Sequence, residues 1–235
     1  MSFHTKHKNS FSMSLGSFIK SLLKKKPENA QELLDLFNCS QLTLLDILPY
    51  NTYNHLLSQS YGRKCIWKNN EWKIFVLSWN SGDFSAIHGH ECIDFGLLKF
   101  YGTADHRTYK YKDKHLNLEL AERIPEGTAK LIEDSDFYHS MGNLGKEPFL
   151  TFHIYKCCTD NEKLSSLINL ENNTVSYTER AAFLNTPVLS SEKNTKDIYS
   201  SEEVKKDYIL CTKSFYKRIG KIDILNELTS NECKL

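Results

Sequence analysis

Residues 82–90 read Gly-Asp-Phe-Ser-Ala-Ile-His-Gly-His, GDFSAIHGH in one-letter form. In a β-strand, residues two apart point to the same face, so His88 and His90 can turn both imidazoles toward one ion. A third histidine, His139, opens another expected strand, with Asn143 four positions on. Three neutral imidazoles suit iron, zinc, copper or nickel. Taken alone, a His-x-His pair is more often an exposed polar pair than a ligand set, so the reading depends on what surrounds it.

Around this stretch the texture is that of short strands. Trp72–Trp79 (WKIFVLSW) alternates, is rich in β-branched and aromatic residues, and follows an Asn69-Asn70 turn. Further strands are expected near Phe84–His90, Ile93–Tyr101, His106–Tyr111, Leu116–Arg123, Ala129–Ile132, His139–Asn143 and Phe149–Cys157. Turn signals separate them at Ser81-Gly82, Gly102, Pro125-Glu126-Gly127 and Gly142–Gly145, and a last hairpin is expected from Ile168–Glu171 and Thr174–Thr178. Many short strands at near-regular spacing mean a sandwich or a barrel.

The flanks read as helical. Leu15, Phe18, Ile19, Leu22 and Leu23 keep the three-and-four spacing of one helix face, and Leu33, Leu34 and Phe37 resume it after Pro27. A short helix is expected over Asn51–Leu57 with Asn51 as its cap. Beyond Pro187 the composition turns polar, as in a linker, and residues 201–229 then carry one or two helices with Ile209, Leu210, Phe215, Ile219, Ile222, Ile224 and Leu225 as apolar candidates. The expected organisation is one barrel domain with N-terminal helices over residues 1–187, and a helical C-terminal extension over 188–235.

Composition narrows the class. With 235 residues, 40% hydrophobic, the chain is long enough for one sizeable core. A formal net charge of +1 gives no reason to expect nucleic acid or an anionic membrane as partner. The run Lys24-Lys25-Lys26 reads as a solvated helix end, where lysines complement the dipole. Seven cysteines form no CxxC pair and no disulfide framework, which implies a reducing, cytoplasmic setting. The first 25 residues lack the pattern of a signal peptide, and no apolar run is long enough to span a membrane. A monomer with a small-molecule substrate is expected, with a C-terminal extension that could mediate a contact.

Gly82, His88, His90 and Gly102 resemble the first cupin motif, G(X)5HXH followed by a distal glycine, and His139-(X)3-Asn143 resembles the end of the second. Asp134-Ser135-Asp136 departs from the Pro and Gly common there. The order Tyr61-Gly62-Arg63, Trp79, the His88/His90 pair, Phe137-Tyr138-His139 and Thr151-Phe152-His153-Ile154-Tyr155 is similar to the cysteine dioxygenase family over about residues 50–187. That resemblance implies a mainly β cupin barrel, a double-stranded β-helix. It implies Fe(II) on His88, His90 and His139, with dioxygen as co-substrate and a sulfinic acid as product.

The resemblance also assigns roles. Arg63 would pair with a substrate carboxylate and Tyr61 would add a hydroxyl contact to the same end. Tyr155 would reach the substrate or oxygen, oriented by His153, which Thr151 would fix in turn. Trp79 is expected to pack beside the site. Many animal members carry a cysteine five residues after the second histidine, crosslinked to the tyrosine, where bacterial members commonly have glycine; counting five from His90 gives Phe95, a ring expected to crowd Tyr155. Lys156-Cys157 replaces a family Pro pair. Asp94 or Glu91 could add a fourth, carboxylate ligand. Alternatives are a dioxygenase of another thiol carboxylate such as 3-mercaptopropionate, a non-enzymatic metal-binding cupin, and a zinc or manganese cupin enzyme.

Overall fold

A computed structural model of the chain describes residues 13–133, 138–157, 164–178, 181–185, 194–196 and 198–230. Asp134-Ser135-Asp136, Phe137 and most of the expected linker after Pro187 lie outside the described residues. Three helical segments come first: α1 (Met13–Lys25), α2 (Ala30–Asn38), and α3 (Leu44–Ile47) with a 3-10 turn over Leu48–Tyr50. Strands β1 (Gly62–Lys68), β2 (Trp72–Trp79), β3 (Ile87–His88), β4 (Ile93–Tyr101), β5 (Ala104–Lys112) and β6 (His115–Ile124) follow. After them run β7 (Ala129–Ile132), β8 (Tyr138–Gly142), β9 (Phe149–Cys157), β10 (Ser165–Asn169), β11 (Thr174–Thr178), β12 (Asn194–Lys196) and β13 (Tyr199–Ser200). Two helices close the chain, α4 (Glu202–Arg218) and α5 (Asp223–Ser230).

One sheet runs β1-β2-β9-β4-β7 and the other β12-β11-β10-β3-β8-β5-β6-β13. Within them, strands β2 to β9 alternate between the sheets except at the β5–β6 hairpin, which stays in the second, giving β2-β9-β4-β7 and β3-β8-β5-β6 with every neighbouring pair antiparallel. That order is the double Greek key of the jelly roll, the double-stranded β-helix expected from the sequence.

The core has three parts that follow from this layering. Between the sheets sit Phe75, Leu77, Trp79, Leu98, Phe100, Met141 and Phe149. The outer face of the first sheet, with Trp72, Ile74, Val76, Leu97, Phe152 and Ile154, packs under Leu15, Phe18 and Leu22 of α1 and Leu33 and Phe37 of α2. The outer face of the second sheet, with Ile87, Tyr109 and Leu116, packs under Val204, Tyr208, Phe215 and Tyr216 of α4 and Leu225 of α5. Covered on both faces, β2 is buried at every position but Lys73, so its apolar run is continuous where alternation is expected.

Helix α4 is fastened to the barrel by charge as well as packing. Ser201 caps its N-terminus, accepting from Val204 N–H. Arg107 Nε of β5 donates to both carboxylate oxygens of Asp207 at 2.9 and 3.0 Å. Tyr208 and Tyr216 both donate to the half-buried Glu171 carboxylate. Arg218 donates to Asp83 at 2.8 Å, inside the GDFSAIHGH stretch.

Three local expectations are corrected. No helix forms over Asn51–Leu57. A capping box between Thr43 and Asp46 starts α3 upstream instead, and Asn51 closes the following turn by donating its backbone and side-chain N–H groups to the Leu48 carbonyl. The strand expected over Phe84–His90 shortens to Ile87–His88, with Phe84 bridging Gly142 alone. The last hairpin starts earlier than expected, at Ser165.

Candidate metal centre

His88 ends β3 and pairs directly with His139 on β8. Extended pairing persists for one more residue, because Gly89 N–H donates to the Ser166 carbonyl. His90 therefore returns to the face of His88, after which a turn begins with Ile93 N–H on the His90 carbonyl. The motif glycine Gly82 takes φ 81°, a left-handed conformation that a side chain would strain, and so turns the chain into this segment.

The three Nε2 atoms converge: His90 to His139 at 2.8 Å, and His139 to His88 at 3.1 Å. The proton on each ring can be placed from its partner. His88 Nδ1 faces the Ala86 carbonyl at 2.9 Å, an acceptor only, so Nδ1 carries the proton and Nε2 a lone pair. His139 Nδ1 faces His106 Nε2 at 3.1 Å, and His106 Nδ1 faces Glu122 Oε1 at 3.0 Å. Burial pushes His106 down to about 4, so it is neutral, and its one proton sits on Nδ1 toward the carboxylate. His139 must then donate from Nδ1, which leaves a lone pair on its Nε2. Two lone pairs thus face each other across 3.1 Å, an arrangement that a shared cation satisfies.

Burial, followed by the neighbouring imidazoles, holds His90 and His139 well below the usual histidine range, and burial lowers His88 as well. All three are neutral imidazoles at physiological pH, the form in which histidine can ligate a metal. Among the described residues no carboxylate joins them within ligand distance. Asp94 is exposed on the far side of a bulge in β4, and Glu91 is spent on the backbone N–H and hydroxyl of Ser166.

Beside the cluster runs a hydrogen-bonded line on one face of β9. Trp79 Nε1–H donates to Thr151 Oγ1 at 2.9 Å, Thr151 Oγ1 lies 2.8 Å from His153 Nε2, and His153 Nδ1 lies 2.7 Å from the Tyr155 hydroxyl. The indole can only donate, and the fully buried Thr151 has no acceptor for its own proton except His153 among the described residues. Burial, with the charge of Arg63, pushes His153 down to about 3, so it is neutral too. The line therefore runs from Trp79 through Thr151 and His153 to Tyr155, whose own O–H is left to point into the cavity. Burial keeps that phenol protonated, well above its usual value. Trp79 is thus more than packing: it sets the direction of the line.

The three histidines, Trp79, His153 and Tyr155 line a cavity of about 110 Å3 inside the barrel. Set against the roughly 30 Å3 of a liquid water, it admits a ligand of few non-hydrogen atoms. Arg63 stands at its mouth with its guanidinium 3.8 Å above the Phe75 ring. Lys73, directly opposite Tyr155 on β2, also lines it. Neither cation has a carboxylate partner among the described residues. Tyr61 is buried in the wall, stacked on Trp79 at 4.7 Å, with burial pushing its hydroxyl up to about 12. Two wider hollows open on the N-terminal helices, lined by no histidine.

Phe95 is not in the cavity. The β4 bulge between Ile93 and Phe95 turns its ring outward, edge-on to Trp72 at 5.8 Å under the N-terminal helices. The residue facing Tyr155 is Gly96, whose added Cβ would lie 2.8 Å from Tyr155 Cδ1. Asn143 is structural, its amide donating to the Trp79 and Glu147 carbonyls. His106, Glu122 and Lys73 are the residues that the sequence reading left out of the site.

No protein-family model matches the chain. Among solved structures it is similar to an uncharacterized conserved protein with a double-stranded beta-helix domain from Klebsiella pneumoniae, at 16% identity and a TM-score of 0.40, over 55% of this chain and 96% of that one. The cupin domain of Schizosaccharomyces pombe Cnp3 matches at 13% identity and a TM-score of 0.36, over 43% and 67%. KdgF from Halomonas matches at 13% identity and a TM-score of 0.32, over 42% and 80%. Likenesses this distant say nothing of activity. Among the described residues no helix is long and apolar enough to cross a membrane. The strand order of the two sheets, rather than these overlaps, makes the fold a cupin-type double-stranded β-helix, with three histidines in its barrel that could hold a metal ion.

Proposed function

We propose that this chain is an iron-dependent thiol dioxygenase that converts a small thiol carboxylate, R–SH + O2, to the sulfinic acid R–SO2H, with cysteine the leading substrate. Both oxygen atoms go to sulfur, which loses four electrons to dioxygen, so the reaction balances without a further reductant. The observation that carries this reading is the juxtaposition of three carboxylate-free imidazole ligands with the line ending in the Tyr155 hydroxyl. Fe(II) held by His88, His90 and His139 would supply a Lewis-acidic, redox-active centre that keeps its full charge and so favours a thiolate.

The rest is the work of the chain. Arg63 offers the substrate carboxylate a charge-assisted, two-pronged contact, with Tyr61 closing the wall behind it. Tyr155 Oη holds its proton toward the reacting end and is kept in place by His153 Nδ1. The small cavity orients the thiol and excludes bulk water. Gly96 leaves the Tyr155 ring room and no crosslinking partner at that position.

A second reading draws on one specific observation: the residues lining the cavity include Arg63 and Lys73 but no aspartate or glutamate. That set suits an acid without an ammonium group, such as 3-mercaptopropionate. Steady-state kinetics on cysteine, 3-mercaptopropionate and cysteamine separate the two. Arg63→Gln should raise KM roughly 10–100-fold for either carboxylate substrate, as loss of a charged hydrogen-bond pair implies, with iron content unchanged. An equal loss for cysteamine, which has no carboxylate, would remove Arg63 from this role.

A further inference from the structure

Behind the histidine cluster lies a second line of polar groups. His106 on β5 is 4% exposed and makes two hydrogen bonds, to His139 Nδ1 on one side and to Glu122 on the other. Glu122 stands opposite His106 across the β5–β6 pair. Its carboxylate also forms an ion pair with Lys130 of β7, which belongs to the other sheet. The line thus crosses the open edge of the barrel and ends on the centre. A buried imidazole is expensive to keep there, since an apolar side chain would fill the space without a desolvation penalty. His88, by contrast, leans on the neutral carbonyl of Ala86.

We propose that His106 and Glu122, braced by Lys130, are positioning residues that fix the tautomer and ring orientation of His139 and strengthen it as a donor to the metal. The inference rests on the metal-binding reading above. A ligand histidine whose distal N–H is backed by a carboxylate is held in one orientation and is more basic at its ligating nitrogen, and loss of such a partner typically weakens metal binding by about 10–100-fold.

The test is Co(II) added to the metal-free protein, with Kd from chelator competition and the visible d–d band as a second readout. His106→Leu should weaken binding by about 10–100-fold and shift the band. His106→Gln, which keeps an acceptor near the Nε2 position, should recover most of that loss. Glu122→Ala should weaken binding roughly tenfold; its partly exposed side chain makes it the measurement to rely on where His106→Leu does not fold. Folded variants that bind Co(II) within twofold of wild type, with an unshifted band, would overturn the positioning role. A wild-type protein that takes up no Co(II) at all would overturn the metal reading itself, and this inference with it.

Discussion

Gly96 and Phe95 show how far one residue of register matters. A ring at the position facing Tyr155 would close the cavity, yet the β4 bulge sends Phe95 to the helices and brings Gly96 against Tyr155. The two positions should therefore respond in opposite ways. Gly96→Ala places a methyl group 2.8 Å from Tyr155 Cδ1 and 2.9 Å from the Ile154 carbonyl, so the ring must move. Its thiol turnover should fall about tenfold or more, since a displacement of about 1 Å can cost 10²-fold, with metal content unchanged. Phe95→Leu should cost about 1 kcal/mol in urea unfolding and leave turnover intact. The reverse pattern would restore Phe95 to the site. At this scale the sequence was legible where chemistry is carried by residue type: His88, His90, His139, Arg63, Thr151, His153 and Tyr155 all line or support one cavity.

Elements were legible where their pattern is local, and obscured where a bulge shifts register. The pairing of Lys112 with His115 and Tyr111 with Leu116, continued without interruption, would set Ala121 opposite His106. A bulge between Thr108 and Tyr109 makes it Glu122, which hid the His106–Glu122 pair from any reading of the hairpin. The anchoring of α4 was hidden for a different reason, because its partners lie far away in sequence. Asp207 meets Arg107, and Tyr208 meets Glu171, across contacts that no periodicity encodes. Arg107 is 6% exposed, so removing its partner strands a buried charge. Asp207→Ala should lower the unfolding free energy by about 3–5 kcal/mol, read from urea denaturation of the full chain. A loss below about 1 kcal/mol would mark the pair as solvated.

The whole molecule is a barrel sheathed by helices on both sheets, with a small polar interior that holds several neutral histidines. That interior makes stability depend on pH. His106 and His153 are pushed down to about 4 and about 3 from an ordinary value of 6.5. The unfolded chain therefore binds more protons than the folded one between these values. Their contribution is fully present above pH 6.5 and is lost as pH falls toward the folded values, by up to about 1.4 kcal/mol per pH unit for each histidine. Metal-free protein should accordingly unfold at lower urea at pH 5.5 than at pH 7.5; a higher midpoint at pH 5.5 would contradict neutral burial. Fold class was legible from strand spacing because eight short strands have few ways to close. The proposed substrate was not, since Arg63 and Lys73 lining the cavity offer charge to an acid and say nothing of its other groups. Thiol oxidation is tested in protein loaded anaerobically with Fe(II), supplied with cysteine or 3-mercaptopropionate, and then opened to oxygen. One sulfinate formed per dioxygen consumed is the expected result; full iron occupancy with no oxygen uptake on either thiol would contradict it.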